Sequence, residues 1–222
     1  MNKLSLIILI LFFSCKGQND NKKLSAYHEK YFAYYDKTLA AIEDKNAENF
    51  KINYDSAKIY LDSLLINKPN NITLLRQKLA LLQIDNDLKG MIDTYNKLIK
   101  NDSLNLAQKQ DLKFGRFFCM AVKDSILYKK EISEYYKDLQ KKEPKISVLL
   151  SNLDPYKDQP EIYKRMGISY YFEGKAKTLK DFEPLSNKIP YKFKYVMIKE
   201  NLKDPVEFLK SLMGFPVEYN WK

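Results

Sequence analysis

The chain of 222 residues carries 38 Lys and Arg against 28 Asp and Glu, a formal net charge of +10. Its hydrophobic fraction of 45% is ordinary for a globular protein, which argues against intrinsic disorder. Six glycines and eight prolines are few for an all-β fold with its many turns, so the composition favours helices. Few of the basic residues are Arg, and the charges are spread along the chain, which argues against a nucleic-acid-binding protein.

Residues 1–14 predict a secretory signal peptide. A short region containing Lys3 precedes an apolar stretch from Leu4 to Phe13, and the small residue Ser14 follows. This order is typical of signal peptides. The apolar stretch is about half as long as the roughly 20 residues that a transmembrane helix needs. An uncleaved membrane anchor is therefore the disfavoured alternative.

The segment Leu11-Phe12-Phe13-Ser14-Cys15 resembles a bacterial lipobox of the relaxed form seen in Bacteroidetes. The resemblance implies cleavage between Ser14 and Cys15 and attachment of acyl chains such as palmitate to the new N-terminal cysteine. A thiolate is a natural acceptor for a diacylglyceryl group, and two or more acyl chains hold a protein on a bilayer. The resemblance implies a protein of the bacterial cell envelope, lipid-anchored to a membrane and facing the periplasm.

Residues 15–23 form a polar segment without apolar periodicity, which we interpret as a flexible tether. If Cys15 is acylated, Cys119 is the one remaining thiol, and an intramolecular disulfide is excluded. Cys119 stands in the apolar run "RFFCMAV". This surrounding predicts a small buried core residue instead of a reactive nucleophile.

Apolar residues recur at helical spacing beyond the tether. They trace one face of a first predicted helix: Leu24, Tyr27, Tyr31, Tyr35, Leu39 and Ile42. Two later helical stretches end in similar polar turns, "LLINKPNN" from Leu64 and "LIKNDSLN" from Leu98, which start 34 residues apart. A fixed period of this size indicates repeated pairs of antiparallel helices.

This period and its residues resemble the tetratricopeptide repeat. In residues 53–71 the matching positions hold an aromatic residue, a small residue, two apolar residues and a turn proline: Tyr54, Ala57, Leu61, Leu64 and Pro69. Asp55 is expected near the start of this helix, and Pro69 just past its end. The next unit, residues 72–105, matches through apolar residues on one face: Leu75, Leu79, Leu82, Met91, Tyr95 and Leu98.

Two further stretches extend the resemblance. Residues 106–144 form a third unit, with about seven extra residues around 122–127, that aligns through Ile132, Tyr136, Leu139 and Pro144. Residues 160–175 resemble the first helix of another unit, with Gly174 at its turn, through Tyr163, Met166, Gly167 and Tyr170. Glycine inside a helix costs up to about 1 kcal/mol relative to alanine. Close packing against a neighbouring helix is the expected reason for Gly167.

The C-terminal part departs from the pattern. Pro184 and Pro190 interrupt the stretch after residue 175, so a second helix of that unit is not defined. A last helix is expected to begin after Asp204 and to stop at Gly214. The remaining residues suggest a tail that folds back onto the helices through Trp221.

These patterns predict an all-α fold in which antiparallel helical hairpins stack as a short tetratricopeptide-like solenoid over residues 24–222. The alternative is a generic helical bundle in which the 34-residue spacing is a coincidence. Helical periodicity predicts an all-α fold in either case.

Residues that carry chemistry are few in this sequence. His28 is the one histidine, which excludes a site built on two histidines, and a surface position on a helix is expected for it. The glycines are scattered singly, without a phosphate-binding loop, and no cysteine pair offers a zinc site. Asp85 and Asp87 lack the later ligands of a calcium loop and better fit a turn between helices. The sequence predicts no catalytic residue, metal or cofactor, and a protein that is not an enzyme.

We therefore expect a protein–protein interaction scaffold or adaptor. The repeat resemblance implies a superhelix whose concave groove holds an unidentified protein or peptide. The N-terminal lipid is expected to provide the contact with the membrane, and nucleic acid is not an expected partner. The alternative is an inhibitor or immunity-type lipoprotein whose basic helical surface binds an acidic effector protein.

Overall fold

The fold is all-α. The computed structural model describes the backbone of residues 3–142, 146–201 and 204–213, and the side chains of residues 22–142, 146–200 and 204–212. Within these ranges the backbone forms helices joined by short turns, and no strand is present. The prediction of an all-α fold is confirmed.

The described part of the chain contains eleven α-helices, which we number in chain order. They are α1 Lys3–Glu43, α2 Ala47–Asn67, α3 Ile72–Ile84, α4 Leu88–Ile99, α5 Leu106–Asp124, α6 Lys129–Lys142, α7 Ile146–Asn152, α8 Gln159–Glu173, α9 Lys175–Asp181, α10 Ile189–Val196 and α11 Pro205–Met213. A short 3₁₀-helix, Glu183–Leu185, follows α9, and a π-helical turn, Met197–Asn201, follows α10.

The chain divides into two compact units. The first contains α1 to α3 and ends at Asp85, and the second begins at Asn86 and contains α4 to α11. Asn86 has a left-handed backbone conformation with φ 56°, which asparagine tolerates better than most residues. The second predicted repeat, residues 72–105, therefore has one helix in each unit.

The first helix includes segments for which the sequence predicts other roles. α1 begins at Lys3 and runs through both the predicted signal peptide and the predicted tether. Between Cys15 and Lys23, Gly17 is the strongest helix-disfavouring residue, and no proline interrupts the backbone. The backbone of residues 15–23 is part of α1, and their role as a tether stays a prediction. Among the described residues, no helix combines the length and hydropathy needed to cross a membrane.

α1 and α2 form an antiparallel hairpin, and α3 packs on α2 to complete the core of the first unit. The buried residues of this core are Tyr31, Tyr54, Ala57, Leu61, Leu64, Leu74 and Leu81. Lys78 of α3 also donates to Asp62 of α2, with Nζ and Oδ1 2.6 Å apart. The four α2 residues in this list are Tyr54, Ala57, Leu61 and Leu64, which the sequence assigns to repeat positions.

The start of α2 differs from the expected one. Asn46 caps the helix, because its Oδ1 accepts a hydrogen bond from Asn49 N at 3.0 Å. Asp55 lies inside α2 and pairs with Lys51, one helical turn away, at 3.0 Å. The expectation that Asp55 lies near the helix start is therefore wrong, because Asn46 already provides the N-cap.

The buried face of α1 also differs in one position. Leu39 is 38% exposed, whereas Thr38 is fully buried. Residues seven apart, such as Tyr31 and Thr38, stay within about 20° of one line along a helix, whereas repeated steps of four drift around it. The Thr38 hydroxyl donates to Tyr34 O at 2.8 Å, so its burial leaves no polar group unsatisfied. The prediction that Leu39 lies on the buried face is wrong.

In the second unit, α4 packs along α5 at a glycine. Met91, Tyr95 and Leu98 of α4 are buried, and the Tyr95 ring lies directly over Gly115 of α5. A Cβ atom at Gly115 would lie 2.5 Å from Tyr95 Cζ. Glycine therefore sets how closely these two helices approach.

A second apolar cluster holds the C-terminal helices together. Its buried residues are Ile162, Met166, Tyr170, Phe182, Leu185, Tyr191, Ile198 and Phe208. Gly167 of α8 faces Leu209 and Leu212 of α11, where a Cβ atom would lie 2.7 Å from Leu212 Cδ1. Gly167 thus allows close packing, as expected, and its partner helix is α11.

The prolines of the C-terminal part begin new helical segments. Pro184 lies in the first turn of the 3₁₀-helix, and Pro190 in the first turn of α10, where the missing N–H is tolerated. Asp204 Oδ1 accepts from Val206 N at 2.8 Å at the start of α11. Gly214 and Trp221, and also Pro144 of the third predicted unit, lie outside the described residues.

Candidate functional site

The residues that the sequence assigns to repeat packing lie mainly in the interior. Pro69 is in the exposed turn after Lys68, the C-cap of α2, and Tyr163 is half-buried. The others are buried: Tyr54, Ala57, Leu61, Leu64, Leu75, Tyr95, Leu98, Met166, Gly167 and Tyr170. These residues hold the fold and leave little surface for a partner. Their assignment to tetratricopeptide repeats stays a prediction.

The predicted lipidation site lies in α1. The backbone of Ser14 and Cys15 is helical, and their side chains are outside the described residues. Lipidation of Cys15 and cleavage after Ser14 therefore stay predictions.

Cys119 is a core residue. Its side chain is fully buried in α5, and burial raises the pKa of its thiol to about 12. Because the thiolate is the nucleophilic form, the protonated thiol at neutral pH is inert. The predicted core role of Cys119 is confirmed.

The other candidate chemical residues have structural contacts. His28 is half-buried on α1 and packs edge-on against Phe32, with 4.8 Å between ring centroids. Asp87 caps α4, because its Oδ1 accepts from Gly90 N at 2.9 Å. Among the residues that the structure describes, no group of His, Cys, Asp or Glu side chains is arranged to hold a metal ion.

The second unit contains a cleft of about 770 Å³. It lies among α6, α7, α8 and α9, with Leu139, Ile146 and Ile168 as its main apolar surface. The buried Arg165, 7% exposed, also lines it. A volume of this size is within the range of small-molecule pockets.

A hydrogen-bond network occupies one wall of this cleft. Glu173 accepts from the Tyr136 hydroxyl at 2.9 Å and from the Ser169 hydroxyl at 3.0 Å. Ser169 Oγ also lies 2.9 Å from Thr178 Oγ1. Burial, followed by the hydrogen bond to Glu173, raises the pKa of Tyr136 to about 12, so its phenol is a neutral donor. The Glu173 carboxylate is thus already engaged, and this wall primarily joins α6, α8 and α9.

The most distinctive exposed feature of the first unit is a row of isoleucines on α2. Ile52, Ile59 and Ile66 are 55%, 63% and 81% exposed. Residues seven apart lie almost in line along a helix, so these three form a straight apolar row about 21 Å long. We call Ile52, Ile59 and Ile66 the isoleucine row. It lies opposite the buried face of α2, so this helix is apolar on two sides.

Serines border the isoleucine row on one side. Ser56 and Ser63 each stand four positions after an isoleucine, and their hydroxyls donate to Ile52 O and Ile59 O at 2.8 Å. The hydroxyl donors are therefore already satisfied within α2. A partner that covers this side need not supply acceptors for them.

Carboxylates border the isoleucine row on the other side. Glu48, Asp55 and Asp62 each stand four positions before an isoleucine, and all three are at least partly exposed. We call these three residues the acidic edge. It gives the apolar row a border of carboxylates on one side only, of which Asp55 pairs with Lys51 and Asp62 with Lys78.

The isoleucine row is not among the residues predicted from the sequence, although its spacing is visible there. The apolar residues of α2 form two rows, and the row of Tyr54, Ala57, Leu61 and Leu64 was sufficient to explain a packed helix. The seven-residue spacing of Ile52, Ile59 and Ile66 is a separate apolar periodicity on the opposite side. Counting both rows would have indicated a helix with more apolar surface than one hairpin buries.

Comparison with known proteins gives no match to a protein-family model, to a curated protein or to a solved structure.

Proposed function

We propose that this chain is a membrane-anchored lipoprotein of the bacterial envelope that serves as a scaffold or adaptor, built from tetratricopeptide-like helical hairpins. The observation that carries the adaptor role is the isoleucine row on α2, an ordered apolar surface that the first unit leaves exposed. The lipobox-like segment ending in Ser14 and Cys15 supports the anchor. The 34-residue spacing supports the repeat assignment.

The row suits an amphipathic helix of a partner protein. A helix with apolar residues at seven-residue spacing presents a matching straight row, and helix pairs commonly pack in this way. The side chains of Asp55 and Asp62 are still 51% and 42% exposed beside Lys51 and Lys78, so the acidic edge can also pair with Lys or Arg along the adjoining side of a partner. The occupant is therefore a helix with an apolar stripe bordered by basic residues.

A second copy of the chain is a less suitable occupant. In an antiparallel pair related by a two-fold axis, the same side of each helix meets its copy. The acidic edges would then face each other, and because Lys51 and Lys78 pair with only two of the three carboxylates of each edge, a net repulsion between like charges is left. A partner with basic residues on that side avoids this repulsion.

The free energy gained by burying the isoleucine row indicates a weak complex in free solution. Complete burial of one isoleucine side chain contributes about 1.5–3 kcal/mol. The exposed fractions of the row correspond to about two complete side chains, or roughly 3–6 kcal/mol. Association costs about 4 kcal/mol or more in lost translational and rotational freedom. A lipid anchor that holds both partners at one membrane raises their effective concentration and offsets part of this cost.

Site-specific photo-cross-linking in native membranes tests the adaptor role. A photoreactive residue replaces Ile59 in one variant and Ile126, an 85% exposed isoleucine between α5 and α6, in the control. We expect a cross-linked protein at position 59 that is absent at 126 and is lost when Ile52 and Ile66 are both changed to Ser. Equal products at both positions, or a product containing only this chain, would contradict the adaptor role.

A defined peptide checks the chemistry of the docking face. Two synthetic helices carry the same seven-residue leucine stripe, bordered by Lys in one and by Glu in the other. We expect the Lys peptide to bind the purified chain more tightly, and the difference to shrink when Asp55 and Asp62 are changed to Asn. Equal binding of both peptides would contradict the role of the acidic edge.

The mass of the mature protein tests the anchor separately. We expect a chain that begins at Cys15 and carries acyl chains, whereas Cys15→Ala stays unlipidated. A mature chain that retains residues 1–14 without added acyl mass would refute the lipoprotein assignment. If a captured partner loses its own activity in the complex, the protein is an inhibitor instead of an adaptor.

A further inference from the structure

A row of lysines runs along α1 beside the seam between α1 and α2. Lys23, Lys30 and Lys37 are exposed and stand seven residues apart, so their Cα atoms are spaced about 10.5 Å along one line. We call these three residues the lysine row. Among the described residues, no carboxylate forms an ion pair with any of the three ammonium groups.

Each ammonium group of the lysine row lies over a tyrosine ring. Lys23 Nζ is 5.6 Å from the centre of the Tyr27 ring, Lys30 Nζ is 5.3 Å from that of Tyr60, and Lys37 Nζ is 5.3 Å from that of Tyr34. These distances are within the range of cation–π contacts.

The three tyrosines themselves form a continuous group. Tyr60 of α2 packs between Tyr27 and Tyr34 of α1, with ring centroids 5.7 Å and 5.8 Å apart. The tyrosines are half-buried, and the lysines beside them are exposed. The result is a surface about 21 Å long that presents cations and the amphipathic rings that support them.

We propose that the lysine row lies against the anionic phospholipid headgroups of the membrane to which the protein is anchored. This inference rests on the proposed lipid anchor at Cys15. The row begins eight residues after Cys15, about 12 Å further along α1, which is helical between the two positions. Aromatic rings with a polar end are favoured at the membrane–water interface, and lysine side chains extend toward headgroups.

The strength of the expected contacts favours a membrane over an acidic protein. An exposed ion pair contributes less than about a fivefold gain in affinity, and three such pairs alone hold a freely diffusing protein poorly. A lipid anchor already places α1 at the surface, so the lysine row only has to orient it. Each lysine near an anionic surface raises the equilibrium constant for membrane contact roughly fivefold, and three lysines raise it about a hundredfold. The row therefore orients the first unit on the bilayer, and the lipid retains the protein there.

Lysine footprinting of the lipidated chain tests the orientation. The protein is placed in vesicles of phosphatidylcholine with or without phosphatidylglycerol and treated with an amine-acylating reagent, and each lysine is quantified by mass spectrometry. We expect Lys23, Lys30 and Lys37 to be protected several-fold in the anionic vesicles only. Lys129 and Lys130, exposed on α6, are the internal control and should react equally in both vesicles. Protection should disappear at about 1 M salt, where the screening length is about 3 Å.

A binding measurement with the unlipidated Cys15→Ser chain separates the lysine row from the anchor. In one variant Lys23, Lys30 and Lys37 are changed to Gln, and in the matched control the exposed Lys123, Lys129 and Lys130 are changed to Gln, which removes the same charge. We expect the first variant to lose about a hundredfold of its partitioning onto phosphatidylglycerol vesicles. The control variant should change much less.

Several results would overturn the proposal. Equal weakening in both variants would assign the effect to net charge, and equal protection in neutral vesicles would remove the role of the headgroups. Protection of the lysine row by polyglutamate at the same concentration of carboxylates would identify a general polyanion site. If the mature protein lacks acyl mass, the anchor proposal fails. The partitioning of the unlipidated chain then still decides whether the lysine row recognises anionic lipid.

Discussion

Replacing Gly115 by alanine should destabilise the protein, because the new methyl group has no room at the crossing of α4 and α5. The Cβ atom would lie 2.5 Å from both Cζ and Oη of Tyr95, whereas carbon atoms in favourable contact are about 3.5–4.0 Å apart. Tyr95 is only 8% exposed, so its ring must push against packed neighbours. Overpacking of this kind costs about 1–3 kcal/mol.

Helix propensity opposes this cost. Changing glycine to alanine inside a helix stabilises by about 1 kcal/mol, so the expected net loss for Gly115→Ala is about 0–2 kcal/mol. Gly167→Ala is the matched control, since its Cβ atom meets only the ends of the flexible side chains of Leu209 and Leu212. That variant should stay within about 0.5 kcal/mol of the wild type.

Urea unfolding of the full chain, followed by far-ultraviolet circular dichroism, measures both variants. In a Tyr95→Leu background, Gly115→Ala should lower the free energy of unfolding less than it does in the wild type. The shorter leucine side chain leaves room for the new methyl group. If Gly115→Ala is more stable than the wild type, or if its effect is the same in the Tyr95→Leu background, the steric explanation is refuted.

Three further predictions follow from named contacts. Because burial raises the pKa of the Cys119 thiol to about 12, the folded protein should be alkylated slowly from neutral pH to about pH 10, as measured by mass, and rapidly once unfolded in urea. Tyr136 has its pKa raised to about 12, first by burial and then by Glu173, whereas an unfolded tyrosine titrates near 10. The unfolded chain therefore loses this proton first, and stability should fall between about pH 10 and pH 12, less steeply in Tyr136→Phe. Asn46→Ala should lower stability by about 1 kcal/mol through loss of the hydrogen bond to Asn49 N, whereas an effect below about 0.2 kcal/mol would contradict this capping role.

Helical spacing predicts the buried face of α2 because one side of that helix meets both α1 and α3. The same reasoning fails at Leu39, since hydropathy ranks leucine above threonine for burial. Thr38 lies in line with Tyr31 on the buried side, and its burial is tolerated because its hydroxyl donates to Tyr34 O in the same helix. The spacing of apolar residues therefore predicts which side of α1 is buried, but it does not identify every residue on that side.

The sequence around Gly167 predicts close helix packing but does not identify the helix that packs there. A small residue inside a predicted helix indicates that another helix approaches closely, and the structure confirms that approach. The approaching residues, Leu209 and Leu212, lie in α11 and not in the helix that follows α8. Repeat spacing assumes that neighbours in sequence pack together, whereas the prolines at 184 and 190 divide the intervening chain into short segments. The identity of a distant packing partner depends on those segments and is not encoded at Gly167 itself.

The exposure of the isoleucine row and the lysine row also depends on packing partners that the local sequence does not specify. Seven-residue spacing identifies Ile52, Ile59 and Ile66, and equally the lysine row, as straight lines on a helix surface. Whether such a line is buried depends on the helix that packs beside it, which the spacing does not specify. In the structure α2 buries the opposite side against α1 and α3, so its isoleucines stay exposed. The lysine row is formed by α1 alone, but Tyr60, which supports Lys30, comes from α2. Packing of α2 against α1 and α3 thus leaves the apolar row exposed, and the same packing brings Tyr60 beside Lys30 in the lysine row.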